Sequence, residues 1–203
     1  MRDYIIHFIR HGETLANAEG KYVGRTDLPL TEQSRAELEA LRDEGIYPSV
    51  GLVYTSPLKR ATETAAIIYG GRQMTAVEDM REYDFGDFEG KTDAELDGRE
   101  DYREWRAGKR TDAPCGEDQE DFKRRIYTAL VQIVKNMSEE DCFEAAVITH
   151  GGVIMTLLAL CGIPQRGAVE WACEPGKGYS VRINPNLFSR SGYIEVFGTV
   201  PQE

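Results

Sequence analysis

Residues 4–14 read Tyr4-Ile5-Ile6-His7-Phe8-Ile9-Arg10-His11-Gly12-Glu13-Thr14. The apolar, β-branched and aromatic run over 4–9 predicts a short buried strand, and Arg-His-Gly at its end predicts a turn that carries charge. The same grammar returns further on. Residues 145–149 predict a strand running into His150-Gly151-Gly152, and residues 51–55 one running into Ser56-Pro57. Helical patterns separate these strands. Pro29-Leu30-Thr31 opens a helix to about Glu44, with Thr31 as N-cap and Gly45 as the stop. Ser56-Pro57 supplies an N-cap and a proline at the first helical position, ahead of a face made by Leu58, Ala61, Ala65 and Ile68. Thr92-Asp93-Ala94-Glu95 fits a capping box. Phe122, Ile126, Leu130, Ile133 and Met137 mark a long amphipathic helix, and an apolar helix follows His150 to about Gly162. Further strands are expected over 75–77, 179–183 and 193–197. Strands alternating with helices predict an α/β fold, three layers α/β/α around a mostly parallel sheet.

The chain has 203 residues, 41% of them hydrophobic and 29% charged, which suits one folded domain over 1–203 and excludes disorder. Its net charge is −11, the wrong sign for a general nucleic-acid or anionic-membrane binder. The longest nearly continuous apolar run, 153–161, is far short of the roughly 20 residues a bilayer requires. Met1-Arg2-Asp3 leads straight into the first strand, so no secretory leader is expected. The four cysteines form no CxxC pair and read as reduced thiols, consistent with a cytoplasmic protein.

The acidity is uneven. Residues 78–121 hold 17 of the 35 acidic residues and 7 basic ones, so this stretch carries nearly all of the net charge. Either a solvated helix face or an insertion capping a balanced core would explain it.

Ligands of open α/β sheets bind beyond the carboxyl ends of the strands. Those ends deliver Arg10, His11 and Gly12; Ser56 and, one helical turn on, Arg60; then His150, Gly151 and Gly152. Singly, each has a bland reading as a turn histidine or surface arginine. Together they make a cationic cluster on an acidic chain, suited to a phosphoryl group, because guanidinium forks and glycine-rich helix starts match its oxygens. A neutral imidazole can also attack phosphorus near pH 7. His7 lies within the first strand and is assigned to packing. Other chemistries find no support. Residues 86–92 are one residue short of a P-loop and place Asp87 and Glu89 where phosphates would sit. No G-x-S-x-G, HExxH or EF-hand spacing occurs.

The blocks that carry this cluster resemble a known family. Residues 8–14, Asn17, 24–31 (Gly-Arg-Thr-Asp-Leu-Pro-Leu-Thr), 56–61, 81–90 and 149–152 resemble, in order, the signature of the histidine phosphatase superfamily, the phosphoglycerate-mutase-like proteins. They look most like the alpha-ribazole phosphatase and broad-specificity phosphatase branch. The resemblance implies that His11 is a nucleophile forming a phosphohistidine. It implies that Arg10, Arg60 and His150 hold the phosphoryl group, with Asn17, Gly24 and the Gly151 N–H assisting. Glu82 matches the family's proton donor, a role that residue pattern alone could not assign among so many carboxylates. Tyr83, Phe85 and Phe88 are expected to desolvate it. His11 should carry its proton on the nitrogen facing a backbone carbonyl.

Two arginines can do the electrostatic work of Mg²⁺, so no metal or other cofactor is expected. The acidic segment, about 83–121, is expected to form much of a cap that disfavours polyanions. The expected partner is a small phosphomonoester, with neither nucleic acid nor membrane, and the oligomeric state is open. Val23 stands where mutases usually carry a hydroxyl. Cys115 and Asp118 depart from the Gly-Gly-Glu-Ser block, and Ser34 replaces a common glycine. Phosphomonoester hydrolysis is the favoured reading. Phosphoglycerate-mutase-type transfer and a non-catalytic phospho-ligand module remain the alternatives.

Overall fold

The computed structural model describes residues 2–201. Its first half runs β1 (Tyr4–Arg10), α1 (Leu15–Ala18), α2 (Glu32–Asp43), β2 (Leu52–Thr55), α3 (Lys59–Tyr69), β3 (Met74–Ala76), α4 (Asp93–Leu96) and α5 (Glu100–Arg106). The second half runs α6 (Gln119–Glu139), β4 (Glu144–Thr149), α7 (Gly151–Cys161), β5 (Gly162–Ile163), β6 (Gly178–Ile183), α8 (Pro185–Ser191) and β7 (Ile194–Val200). The strands form one sheet in the order β3-β2-β4-β1-β6-β7-β5. Among the described residues β6 alone opposes its neighbours β1 and β7, so the sheet is mostly parallel as expected.

Strand alternation assigns the two faces. Ile6 and Phe8 of β1 and Ala145 and Val147 of β4 face α6 and α7, whose Phe122, Ile126, Leu130, Ile154 and Leu157 fill the larger core. Ile9, Ala146 and Ile148 face the other way, against Leu38 of α2 and Ala61, Ala65 and Ile68 of α3. Both faces are covered, which is why the central strands are apolar along their whole length rather than alternating. His7 packs within the sheet, as expected, but as a bonded group. Its Nδ1 lies 2.8 Å from Ser180 Oγ and its Nε2 3.1 Å from Glu144.

One local expectation fails in an informative way. Ser56 does not cap α3, which starts two residues after Pro57, at Lys59, with Leu58 as a silent N-cap. The carboxylate of Asp27 accepts the Lys59 N–H instead, at 2.6 Å, and the Ser56 hydroxyl is released for another partner. At α2 and α4 the expected caps hold: Thr31 accepts from Ser34 N, and Thr92 and Glu95 form the capping box.

Residues 83–121 carry two short helices and an aromatic cluster that joins the larger core through Phe88, Leu96 and Tyr102. Most of the acidic side chains point to water or pair locally, as in Arg99–Asp101 and Arg106–Asp93. Glu82, just before the segment, is buried. Within it, Glu89 and Glu117 bind backbone or arginine, and both carboxylates shape the site described next. Among the described residues no helix is long and apolar enough to cross a membrane.

Candidate active site

Strand register assembles the site. Arg10 of β1 lies opposite Thr149 of β4, so His11 and His150 follow side by side, and His11 N–H donates to the Thr149 carbonyl at 2.8 Å. The two imidazole centroids are 5.1 Å apart, edge to face. β2 ends at the same level, with Thr55 opposite Ile148, which delivers Ser56 and, from the first turn of α3, Arg60.

His11 is 4% exposed, and its Nδ1 lies 2.6 Å from the Gly12 carbonyl. A carbonyl only accepts, so Nδ1 carries the proton and Nε2 keeps its lone pair. Burial, reinforced by the Arg60 charge, holds the pKa well below the ordinary histidine value. The expected neutral imidazole, fixed by a backbone carbonyl, is therefore present. Gly12 N–H is tied to Thr64 Oγ, which in turn donates to the Arg60 carbonyl, locking this loop to α3. Ser34 has a use as well: its hydroxyl accepts the Glu13 N–H at 2.7 Å.

Arg60 is 1% exposed. Its Nε donates to His150 Nδ1 at 3.2 Å, and its two terminal nitrogens donate to the carbonyls of Thr26 and Gly24, both at 2.8 Å. His150 Nδ1 must accept, so Nε2 holds the proton and donates to Ser56 Oγ at 2.7 Å. Burial, with His11 and Arg60 adding repulsion, drives the His150 pKa well below normal. Both ring nitrogens of His150 are thus engaged among the described residues, bracing Arg60 against Ser56.

Arg10 donates to the Cys173 carbonyl at 2.7 Å, while its buried Nε has no partner among the described residues. Gly151 lies against this guanidinium, at the start of α7. Neither Arg10 nor Arg60 is ion-paired with a carboxylate among the described residues. Asn17 sits one turn beyond the His11 loop. Its amide carbonyl accepts from Thr14 N and Oγ, which leaves its N–H donors as what it can offer a ligand.

Glu82 is 7% exposed. Its oxygens accept the Tyr83 N–H at 2.9 Å and the Gly152 N–H at 2.8 Å. Burial raises its pKa, against the opposing pull of those N–H groups and the two arginines. Gly152 is required here, because a Cβ would run into the carboxylate. Arg125 fixes the segment from behind. Its guanidinium donates to the carbonyls of Asp79 and Arg81, each at 2.7 Å, and of Glu82 at 2.9 Å. The rest of its fork grips Glu117 in two bonds. Glu89 similarly gathers the N–H groups of Gly24, Arg25 and Thr26, setting the carbonyls that hold Arg60. These long-range clamps have no local sequence signal. A side chain on Gly24 would strike the Tyr83 carbonyl.

A cleft of about 660 Å³ between β2, β3 and α6 contains none of these groups. The clustered chemistry, not cleft size, marks the site.

All three histidines are buried and held below their ordinary pKa. The unfolded chain takes up their protons near pH 6.5 while the folded chain resists, so stability present above that pH is lost as pH falls below it. Glu82 acts in the opposite sense, because its raised pKa keeps a proton on the folded chain above about pH 4.5. It offsets part of their effect. Urea titrations at pH 6.5 and 5.5 are therefore expected to show a net loss at the lower pH on the order of 1–2 kcal/mol. Equal stability at the two pH values would contradict the neutral assignments.

Comparison with known proteins places the chain in a family. Residues 6–190 match the family model described as histidine phosphatase superfamily (branch 1). An adenosylcobalamin/alpha-ribazole phosphatase of Escherichia coli (strain K12) is 30% identical over 87% of this chain and 88% of that protein. A 2,3-bisphosphoglycerate-dependent phosphoglycerate mutase of Gloeobacter violaceus is 31% identical over 76% of this chain and 74% of its own length. The crystal structure of an alpha-ribazole phosphatase from Shigella flexneri superimposes with a TM-score of 0.80 over 96% of this chain and 95% of that one. At 24% identity, that likeness speaks for the fold.

Proposed function

The chain belongs to the histidine phosphatase superfamily, and on that premise we propose that it hydrolyses a small phosphomonoester through a phosphohistidine, without a metal. One observation carries the reading. Among the described residues, two guanidiniums without a carboxylate ion pair flank a buried imidazole whose Nε2 has no partner and keeps its lone pair. Such a pocket keeps two cations free of direct ion pairs and holds a nucleophile, which is what a phosphoryl dianion requires.

In the first step His11 Nε2 attacks phosphorus and the bond from phosphorus to the leaving oxygen breaks. Glu82, whose burial favours its protonated form, gives that oxygen its proton. In the second step Glu82, now a carboxylate, takes a proton from water. The water oxygen attacks phosphorus, the P–N bond breaks, and neutral His11 is restored with phosphate released. Arg10 and Arg60 carry the charge on the equatorial oxygens throughout, with the Gly151 N–H and Asn17 as further donors. His150, beside His11, holds Arg60 in place and gives its Nε2–H to the phosphoryl group when it is bound. Such fixed donors stabilise the transition state without reorganising. The single-domain organisation and the capping role of 83–121 belong to the same proposal, as does alpha-ribazole 5′-phosphate as a candidate substrate, since relatives are named for it.

Turnover of 4-nitrophenyl phosphate, alpha-ribazole 5′-phosphate, sugar phosphates and phosphoglycerates, measured with and without EDTA, tests this. Phosphate release at the same rate in both is the expected result. Isomerisation of phosphoglycerate without net phosphate release would identify a mutase. Binding of these esters with no turnover of any would identify a recognition module.

A further inference from the structure

Beside the phosphoryl pocket lies a cavity of about 250 Å³. It borders the acid: Tyr83 and Gly152, whose N–H groups hold the Glu82 carboxylate, both line it. Thr156 also lines it, about one turn further along α7, so the cavity extends about 6 Å along that helix from Gly152. A leaving oxygen protonated by Glu82 would direct the rest of its molecule here.

The walls are aromatic. Tyr83 is 5.2 Å from Phe85, 6.1 Å from Trp105 and 5.4 Å from Phe122, centroid to centroid, and all four rings line the space. About 150 Å³ of apolar cavity holds a benzene ring, so this one has room for a fused bicycle. Charge is nearly absent. Among the described residues lining it, the charged one is Lys123, already 2.7 Å from Glu120. A carboxylate or second phosphate placed here would be desolvated without a cation to meet it.

From this we propose that the cavity receives the alcohol side of the substrate and selects a flat, uncharged aromatic ring over a second anionic group. The proposal rests on the phosphatase reading above and narrows its substrate class. It also explains how a mutase-like centre would be kept from phosphoglycerate chemistry, in which the alcohol side carries a carboxylate.

The test separates ring recognition from leaving-group reactivity. 2-(1-Naphthyl)ethyl phosphate and butyl phosphate both leave as primary alcohols, while 3-phosphoglycerate adds a carboxylate. The wild-type protein is expected to favour the naphthyl ester over butyl in kcat/KM by about tenfold or more, an effect of the size aromatic contacts supply. 3-Phosphoglycerate should be poorer than both. Trp105→Ala should erase most of the naphthyl-to-butyl ratio and Trp105→Phe should restore it. Thr156→Phe, at a half-exposed position, should lower the ratio by filling the cavity from the opposite side. Calorimetry with the corresponding phosphonates should rank affinities the same way, and it gives a reading even if turnover is absent. Phosphate release from all three esters with no ring preference would overturn this proposal and leave the phosphatase reading standing. Absence of turnover with ring-selective phosphonate binding would do the reverse.

Discussion

Replacing His11 with alanine is expected to lower kcat/KM on any phosphomonoester by at least about 10⁴-fold, the scale on which loss of a covalent nucleophile is felt. The structure offers no substitute. His150 is the nearest imidazole, 5.1 Å away by ring centroids, but its Nδ1 lone pair meets Arg60 and its Nε2 carries the proton given to Ser56. His7 is held inside the sheet by Ser180 and Glu144. Rapid quench of the wild-type protein into alkali should trap a phosphoenzyme that survives at high pH and is lost on acidification, as a phosphoramidate bond requires. The variant should show none. Because Arg10 and Arg60 remain, the variant should still bind inorganic phosphate, which separates loss of chemistry from loss of fold. A trapped phosphoenzyme in His11→Ala would place the covalent step elsewhere and sink the mechanism.

The sequence was informative where a signal is local and silent where it is tertiary. The strands ending at Arg10 and Thr149 were legible because both are buried on two faces and stop at His-Gly. Their register was not, yet it is register that sets His11 beside His150. Ser56-Pro57 carries every local mark of a helix start, and the helix nonetheless begins at Lys59, because Asp27 reaches across to supply the cap. The hydroxyl is more useful to His150, which would otherwise bury an unpaired N–H at a cost of about 1–3 kcal/mol. α5 went unread because only Tyr102 of its seven residues is buried, too little for a period to show. α8 could have been found: Asn184-Pro185 at its start and Gly192 in the left-handed conformation at its end are standard punctuation. β5, two residues long, carries no pattern at all. Glu82 came from family resemblance alone. Burial and the two backbone donors distinguish it from its neighbouring carboxylates, and neither is visible in the chain.

Glu82→Gln yields the second large effect, and one that depends on the leaving group. With an alkyl phosphate the departing oxygen needs a proton, so kcat should fall by about 10²–10⁴-fold, the usual worth of a positioned acid. With 4-nitrophenyl phosphate the phenolate leaves unaided, and the first step should be nearly spared. Hydrolysis of the phosphohistidine still needs a base, so this substrate should give a rapid burst of nitrophenolate, then slow turnover with phosphoenzyme accumulated. Glutamine is not a silent replacement here. Both carboxylate oxygens accept backbone N–H groups, and an amide turns an NH₂ toward one of them. A modest stability loss should therefore accompany the variant, equal for both substrates and unable to produce the difference between them. The wild-type pH profile should agree: the alkaline limb for alkyl esters reports Glu82 losing its proton and is displaced upward from the ordinary carboxylate range by burial. In the variant that limb should disappear. Equal losses on the alkyl and nitrophenyl esters, with no burst, would show that Glu82 organises the pocket rather than moving a proton.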